Sequence, residues 1–503
     1  MARVATGVLD GIDGVVVTAE IDITRGMPGF HLVGLPGAEV RESRERVLSA
    51  LRHSGRTVPL GRITVNLAPA GLRKSGAASD LAIALGILAA GKQVRLGPSR
   101  RTGAAFIGEL SLFGEVRPVR GLLALVLALR DQGVMTIVVP RAQAAEARLA
   151  AGTEVVGVRD LAQAAAWWEG GPAPAGGRHP VAATEPAEPS QPLWPDLQGQ
   201  PDVRRAAMLA VAGRHHCLLV GPPGTGKTRL ARSLARLGRP LTPAEALEVT
   251  RIHGAAGGRP TTGLVRSRPF RAPHHTVTRA GLVGGGAPLR PGEVTLAHRG
   301  LLFLDEVTEF APQVLDSLRE PLGDGTVAVA RGGGARLYPA DFQLVAAMNP
   351  CRCGHLGSGT VPCTCTPAEI QRFRARLSGP LLDRIDLFVE VGAWDGAFVG
   401  AAAVAVPGPD PVAAGPDWRV RPCRADLERA WRARAEGPDP RARLEQAGAD
   451  LLETSRRTLG LSLRGMERCL AVAATAADLD GAAAIGEHHV REALAYRREA
   501  VGL

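Results

Sequence analysis

Eight consecutive residues near the middle of the chain have the types and spacing of a phosphate-binding loop. They fit the pattern G-x-x-x-x-G-K-[ST] at every specified position and read Gly221, Pro222, Pro223, Gly224, Thr225, Gly226, Lys227 and Thr228. Glycine lets the backbone turn so that successive N–H groups point at phosphate oxygens. Lys227 would then reach the β- and γ-phosphates, and the Thr228 hydroxyl would ligate Mg²⁺. These residues predict a site that binds and hydrolyses a nucleoside triphosphate.

The sequence on each side of this loop supplies the elements that must position it. The apolar run 217–220 predicts a strand, and residues 229–237 predict a helix whose positive end would face the phosphates. Composition gives a second indication, because Lys74, Lys92 and Lys227 are the only lysines among 60 Lys and Arg residues. A chain that otherwise uses arginine retains lysine where a compact ammonium is needed.

A pair of carboxylates follows another strand-like run further along the chain. Residues 301–304 are Leu-Leu-Phe-Leu, which predicts a buried strand, and Asp305 and Glu306 come directly after it. Asp305 would hold Mg²⁺ through water, and Glu306 would polarise the water that attacks the γ-phosphate. Taken alone, the run also suits an ordinary strand that ends in acidic residues. Its position after a phosphate-binding loop favours the catalytic interpretation.

Three more polar residues extend this arrangement. Asn349 follows an apolar strand-like run and is placed to orient the attacking water, Arg384 ends a short predicted helix, and Arg464 follows Ser462 where another helix begins. The order of these motifs resembles that of AAA+ ATPases. The resemblance implies ATP as the nucleotide, Arg384 as a finger for a neighbouring subunit's ATP and Arg464 as a second sensor, and therefore a homo-oligomeric, hexameric ring. Without the resemblance, both arginines would be read as surface cations, the default for this residue type.

A segment between the two motifs narrows the resemblance. Residues 268–276 read Arg-Pro-Phe-Arg-Ala-Pro-His-His-Thr, and Gly-Gly-Gly at 284–286 and Pro-Gly-Glu at 291–293 follow them. The segment resembles an insertion of magnesium-chelatase-like AAA+ proteins, and with the other motifs the chain resembles the YifB/ComM group. Since adjacent histidines on a loop rarely bind one ion together, we expect 274–275 to belong to a structural or nucleic-acid-contacting loop.

The YifB/ComM resemblance implies a function on DNA. It implies a helicase that acts on single-stranded or branched DNA and promotes branch migration in recombination during natural transformation. Two alternatives stay open: ATP-dependent remodelling of a protein partner, and a magnesium-chelatase-type motor subunit.

A glycine-tipped hairpin is predicted over residues 326–338. Arg331 and Arg336 lie on either side of its tip. In ring helicases of this class such a hairpin projects into the pore, so the resemblance makes these arginines candidate DNA-backbone contacts. A solvated hairpin tip is the equally simple alternative.

Four of the seven cysteines are clustered, at positions Cys351, Cys353, Cys363 and Cys365. The pattern C-x-C…C-x-C supplies four soft ligands, enough for a closed tetrahedral Zn²⁺ site, although the one-residue spacer is tighter than usual. Reduced thiols and disulfides are the alternatives, and a reducing compartment disfavours the disulfides.

The N-terminal part carries a second resemblance. Residues 73–80 and 107–122 resemble the Lon protease domain, an α/β fold similar to ribosomal protein S5. Hydrolysis of that type needs a serine nucleophile and a lysine base. Ala78 stands at the nucleophile position, and Leu123, Ala124 and Leu125 stand where the lysine should fall. We expect a scaffold without protease activity, for ring assembly or partner binding.

The composition of the whole chain limits its class. A length of 503 residues implies several domains, and a net charge of +11 favours an anionic partner such as nucleic acid, although simple solubilisation would also explain it. The N-terminus lacks a signal-peptide layout, and no uncharged apolar stretch approaches about 20 residues. We therefore expect a cytoplasmic protein without a membrane partner.

The predicted fold class is α/β, with a P-loop AAA+ core, a C-terminal helical lid and an N-terminal Lon-protease-like (ribosomal S5-like) α/β domain. Shifts in Pro, Gly and Ala content set the boundaries. We place the Lon-like domain at 1–169, a linker at 170–192, the AAA+ core at 193–391, a flexible connection at 392–416 and the helical lid at 417–503.

Overall fold

The computed structural model describes residues 1–35, 37, 40, 42–69, 74, 76–94, 103–174, 200–258, 263–286, 289–331, 334–359, 361–392 and 424–497. The predicted linker is described only up to residue 174, and the predicted connection only at residue 392. The rest of both predictions lies outside the described residues.

The chain divides into two compact units whose membership does not follow chain order. The first comprises Met1–Ala187, Thr242–Arg266 and Gly285–Pro291, and the second comprises Glu188–Leu241, Ser267–Gly284 and Gly292–Leu503.

A mixed sheet forms the centre of the first unit. Its described strands are β1 (Ala2–Asp10), β2 (Asp13–Thr24), β3 (Gly29–Val33), β4 (Arg62–Ala68), β5 (Ala104–Phe106), β6 (Glu109–Leu110), β7 (Val116–Arg117), β8 (Thr136–Pro140) and β9 (Glu154–Val158). Seven of them form one sheet in the order β3-β4-β2-β1-β5-β8-β9, and β6 pairs with β7. Strands β1, β2 and β4 are antiparallel neighbours, whereas β1, β5, β8 and β9 run parallel.

Helices cover this sheet, and the side chains of the sheet divide between two cores. The helices described here are α1 (Ser43–His53), α2 (Asp80–Ala90), α3 (Leu122–Asp131), α4 (Ala144–Ala147) and α5 (Leu161–Trp168). Phe106 and Val138 pack in one core, and Ala105 and Ile137 pack in the other. The division arises because successive side chains of a strand point to opposite faces.

A parallel sheet forms the centre of the second unit. The remaining strands are β10 (Cys217–Val220), β11 (Phe270–Arg271), β12 (Gly284–Gly285), β13 (Arg290–Pro291), β14 (Leu301–Leu304), β15 (Thr326–Arg331), β16 (Gly334–Pro339), β17 (Gln343–Met348) and β18 (Leu387–Glu390). Five of these form the sheet, in the order β11-β14-β17-β10-β18, with every neighbouring pair parallel. All residues of β10, β14 and β17 are buried, as in sheets covered on both faces.

The helices beyond residue 200 complete the inventory. They are α6 (Pro201–Gly213), α7 (Lys227–Leu237), α8 (Pro243–Ala255), α9 (Arg279–Val283), α10 (Glu293–Leu296), α11 (Pro312–Asp316), α12 (Pro321–Asp324), α13 (Pro367–Arg374), α14 (Gly379–Leu382), α15 (Arg424–Glu436), α16 (Pro440–Arg443), α17 (Gln446–Leu459), α18 (Leu463–Asp480) and α19 (Glu487–Ala495). Among these helices and those of the first unit, none is long and apolar enough to span a bilayer.

The helices after residue 424 share one core with the parallel sheet. Leu427 of α15, Leu452 of α17 and Val472 of α18 belong to the same buried cluster as residues of β10 and β14. Buried Arg205 of α6 adds charge pairs across this core, because its guanidinium lies 3.0 Å from Asp480 and 2.6 Å from Glu492.

Helix α8 lies in the first unit, although the sequence analysis assigned all of 193–391 to one core. Leu247 of α8 packs against the core cluster that contains Leu123. Arg251 of the same helix forms an ion pair with Asp13, and Arg120 donates a hydrogen bond to the carbonyl of Ala255. A segment that follows the P-loop helix in sequence is therefore part of the N-terminal unit.

Candidate nucleotide-binding site

The predicted site residues lie at the carboxyl edge of the parallel sheet. Val220 is paired with Met348, and Leu304 is paired with Ala346. Because parallel strands end at the same edge, the residues that follow them come together there. Asn349 and Asp305 follow β17 and β14, and the P-loop follows β10.

The P-loop has the backbone that its glycines predict. Gly224 and Gly226 have φ angles of 80° and 86°, in the left-handed region that side chains with a Cβ rarely adopt. Gly226 is the N-cap of α7, which begins at Lys227. The first N–H groups of a helix have no partner within it, so this geometry directs donors towards a bound anion.

The Lys227 ammonium lies among oxygen atoms of the loop. Its Nζ donates to the carbonyls of Gly221 at 2.6 Å and Pro222 at 2.8 Å, and to Asn349 Oδ1 at 3.3 Å. Burial lowers the pKa of Lys227, and the charges of Asp305 and Glu306 oppose that shift. The Lys227 ammonium and the Asn349 side-chain amide therefore lie next to each other at the end of the sheet.

Thr228 and Asp305 supply adjacent oxygen atoms suited to a magnesium ion. The Thr228 hydroxyl donates to Asp305 Oδ2 at 2.7 Å. Asp305 Oδ1 accepts the backbone N–H of Glu306 at 3.0 Å, which fixes the carboxylate plane. Mg²⁺ is held in proteins by one or two carboxylates together with phosphate oxygens and waters, so this donor set fits the ion.

Glu306 sits on a strained backbone directly after the strand. Its φ is 49°, in the left-handed region that residues other than glycine rarely adopt. The Glu306 side chain is exposed. Such conformations cluster at functional sites, where surrounding structure holds them.

A cleft of about 360 Å³ is lined by three of these groups and by other residues, most of them from segment 268–276. Thr228, Asp305 and Glu306 line it. The other lining residues are Arg232, Phe270, Ala272, Pro273, His274, His275 and Phe303. The volume lies in the range of small-ligand sites.

One sequence signal could have revealed part of this lining. Arg232 lies four positions after Thr228 on α7, which places both on one helix face. His274 and His275 follow β11, which pairs in parallel with β14 and so ends at the same edge. Their imidazole centroids are 4.0 Å apart. The histidine pair thus lies at the cleft.

Comparisons with known proteins identify one family over nearly the whole chain. A family model described as magnesium chelatase, subunit ChlI, matches residues 194–397, and models for subunit ChlI and for its C-terminal part match 19–143 and 421–497. The chain is 38% identical to competence protein ComM of Haemophilus influenzae, covering 97% of this chain and 95% of that protein. It is 38% identical to uncharacterized protein YifB of Escherichia coli, with the same coverage, and 41% identical to an uncharacterized protein of Mycobacterium tuberculosis over 99% of both.

The chain belongs to the YifB/ComM-like group of magnesium-chelatase-like AAA+ proteins. The mixed α/β content and the parallel sheet of the second unit are consistent with that family.

In this YifB/ComM-like chain, the arginine proposed as a finger is bound by backbone carbonyls of its own chain. Arg384 donates to the carbonyls of Arg319 at 2.9 Å and Pro380 at 2.8 Å. Burial, followed by the positive charges of Arg464, Arg319 and others, lowers the pKa of Arg384. Among the described residues, the lining of the cleft includes neither Arg384 nor Arg464.

The predicted hairpin is present as β15 and β16, which pair in antiparallel register with Arg331 opposite Gly334. Arg336 is exposed, and its neighbour Leu337 is 64% exposed. The side chain of Arg331 lies outside the described part of the structure.

The four clustered cysteines come together in this YifB/ComM-like fold. Sγ of Cys351 lies 3.4 Å from that of Cys353 and 3.7 Å from that of Cys363, and Cys353 and Cys363 are 3.6 Å apart. All four sulfur atoms, including that of Cys365, lie within 4.8 Å of one another. The four thiols are not joined as disulfides.

The residues that the sequence analysis aligned with a protease dyad are apolar and buried. Ala78, Leu123 and Leu125 belong to the same core cluster, and Ala124 is also buried.

Proposed function

We propose that this protein is an ATP-hydrolysing ring motor that acts on DNA. The hydrogen bond between Thr228 and Asp305, beside Lys227, is the observation that carries the ATPase part of this proposal. Similarity to ComM over nearly the whole chain supports the DNA part.

Hydrolysis would use the groups at the sheet edge. Lys227 and the N–H groups of the loop would bind the phosphates, and Thr228 and Asp305 would hold Mg²⁺ directly and through water. Bound Mg²⁺ would neutralise charge on the phosphate oxygens. Glu306 would accept a proton from the attacking water, and Asn349, 3.3 Å from Lys227 Nζ, would orient that water.

A ring would complete each site. The resemblance to AAA+ ATPases supports Arg384 as a finger for a neighbour's γ-phosphate. We assign the second-sensor role to Arg464, at the N-terminal end of α18. We propose a homo-hexamer because a finger supplied in trans requires a closed head-to-tail arrangement.

The hairpin of β15 and β16 would contact DNA. Exposed Arg336, together with Arg331, would neutralise backbone phosphates, and exposed Leu337 would offer an apolar surface to bases. The net charge of +11 suits such a partner. We propose branch migration of recombination intermediates during natural transformation as the activity of the motor.

The C-terminal helices, the N-terminal unit and the cysteine cluster would support the motor. We propose that residues 424–497 form the helical lid of the AAA+ core. We propose a Lon-like fold for the N-terminal unit, without protease activity because its dyad positions are filled by Ala78 and leucines. It would serve assembly or partner binding in a cytoplasmic protein, and the cysteine cluster would hold zinc.

ATPase stimulation tests the function. The proposal expects single-stranded or four-way DNA to stimulate hydrolysis and four-way junctions to be resolved by branch migration. Stimulation by a protein partner and not by DNA would favour remodelling, and stimulation by a porphyrin with a chelatase partner would favour the chelatase function. Hydrolysis with no DNA binding at low salt would refute the DNA role.

A further inference from the structure

The cysteine cluster has the spacing of a closed metal site. A tetrahedral zinc with Zn–S bonds of about 2.3 Å places its sulfur atoms roughly 3.8 Å apart. Three Sγ pairs here, among Cys351, Cys353 and Cys363, are separated by 3.4, 3.7 and 3.6 Å. Cys351 is buried and the other three are half-buried, so the cluster is at the protein surface but largely enclosed.

Backbone groups support the sulfur atoms as they do in structural metal sites. The N–H of Cys353 donates to Cys365 Sγ at 3.4 Å, and the N–H of Cys365 donates to Cys363 Sγ at 3.4 Å. Hydrogen bonds to the ligand atoms fix their orientation and are part of a metal site's design. The first of these bonds joins the two C-x-C segments, and the second orients a sulfur atom within one of them.

The cysteine cluster is adjacent to the nucleotide-binding residues both in sequence and in packing. Pro350 alone separates Asn349 from Cys351 along the chain. Gly354, one residue after Cys353, packs against the P-loop, because a Cβ built there would lie 2.9 Å from Pro223 Cδ and 4.0 Å from Asn349 Cγ. On the other side, Thr366 follows Cys365 and caps helix α13 through Glu369.

We propose that Cys351, Cys353, Cys363 and Cys365 bind one Zn²⁺ ion and that this site holds the P-loop in its phosphate-binding shape through the contact of Gly354 with Pro223. The second half rests on the proposed nucleotide site, whereas zinc binding does not. A structural zinc stabilises the segment that it crosslinks, so metal loss loosens Gly354 and with it Pro223 and Asn349.

Metal analysis of the full chain, purified without chelator, tests the first half. We expect about one zinc per chain, lost in Cys363→Ser and retained in Cys469→Ser, a buried cysteine outside the cluster. Zinc-free wild-type protein, with its thiols either reduced or oxidised, would overturn the proposal. If Cys363→Ser does not fold, dialysis of wild-type protein against a zinc chelator replaces it.

A matched pair of glycine substitutions tests the link to the P-loop. Gly354 and Gly357 both have left-handed φ angles, of 84° and 74°, but a Cβ at Gly357 meets nothing within 4 Å. We expect Gly354→Ala to keep its zinc and to weaken binding of a fluorescent ATP analogue by roughly tenfold relative to Gly357→Ala. Equal affinities in the two variants would overturn the link.

Hydrogen exchange separates this inference from the proposed function. Zinc removal should speed exchange in 351–365 and in 221–226 while β1 and β2 of the first unit are unchanged. These readouts need neither hydrolysis nor DNA. A protein that contains zinc and shows this pattern but never hydrolyses ATP would refute the motor and leave the zinc site standing.

Discussion

The Thr228 hydroxyl lies 2.7 Å from Asp305 Oδ2, and the two residues come from different elements, the P-loop helix and the loop after β14. Two hard oxygen donors at hydrogen-bond distance mark the place where Mg²⁺ would be held.

Replacing the side-chain oxygen of Thr228 or Asp305 should weaken Mg²⁺ binding at the site. We expect Asp305→Asn and Thr228→Val to raise the Mg²⁺ concentration for half-maximal ATPase activity by roughly 10–100-fold, because each removes a supporting oxygen. Thr228→Ser keeps the hydroxyl and should behave like the wild type. Magnesium titrations of steady-state hydrolysis measure this, and an unchanged midpoint in Thr228→Val would contradict it.

Glu306→Gln should separate ATP binding from hydrolysis. The amide cannot accept the proton of the attacking water, so we expect kcat to fall by about 10²–10⁴ while ATP still binds. Glu309→Gln is the matched control, because Glu309 lies three positions later and pairs with Arg376 at 3.0 Å. Lys227→Ala should instead abolish binding. Near-wild-type turnover in Glu306→Gln would refute the assignment.

Arg384→Ala should lower turnover and leave nucleotide affinity nearly unchanged, since a finger stabilises charge that develops only in the transition state. The expected loss is about 10³–10⁵ in kcat. Arg376→Ala, at an exposed arginine paired with Glu309, serves as the control.

Mixing two inactive variants tests whether that arginine acts in trans. Arg384→Ala subunits retain Lys227, and Lys227→Ala subunits retain the finger, so a mixed ring contains some complete sites. We expect activity to reappear on mixing. Mixtures as inactive as the separate variants, despite mixed assembly, would contradict a finger supplied by a neighbour.

Replacing Arg331 and Arg336 together with alanine should weaken DNA binding evenly across sequences. The slope of log affinity against log salt should fall by about 2, because two phosphate contacts are lost. ATPase activity without DNA should persist, since the described part of the hairpin contributes no residue to the cleft. Arg457→Ala with Arg491→Ala, at exposed helical positions, is the charge-matched control, and an unchanged slope would exclude the hairpin.

Acid should destabilise the second unit through His216. Burial lowers the pKa of His216 to about 4 from 6.5, despite the nearby charge of Asp386. As pH falls below about 6.5, His216 becomes protonated in the unfolded chain but stays neutral in the folded state. The folded state therefore loses stability between about pH 6.5 and pH 4.

His216→Asn should flatten this dependence while keeping an acceptor for the N–H of Leu344. Urea unfolding at several pH values, monitored by hydrogen exchange in β10 of the second unit, measures this pH dependence of stability. His488→Asn, at an exposed position on α19, should retain the slope. An equally steep slope in His216→Asn would assign the effect to buried His215, whose pKa burial also lowers.

Local sequence patterns predict many of the helices and strands, but not the residues at which they begin and end. Within the predicted helical lid, α16 ends at Arg443 and α17 begins at Gln446, because Leu444 between them forms a strand-like bridge with Ile485. Strand β1 carries none of the motifs of the sequence analysis, yet it lies between β2 and β5 in the sheet. Its sequence has no regular alternation of apolar and polar residues, so its pairing with neighbouring strands defines it.

The sequence by itself determined the phosphate-binding loop, the acidic strand end and the glycine-tipped hairpin. Each is a contiguous pattern whose backbone geometry follows from local residue types, such as glycine where φ is positive. The tertiary structure alone decided which distant groups meet. It brought His274 and His275 to the cleft and Gly354 against Pro223. Those approaches depend on strand order and on packing between residues far apart in the chain, which no local pattern encodes.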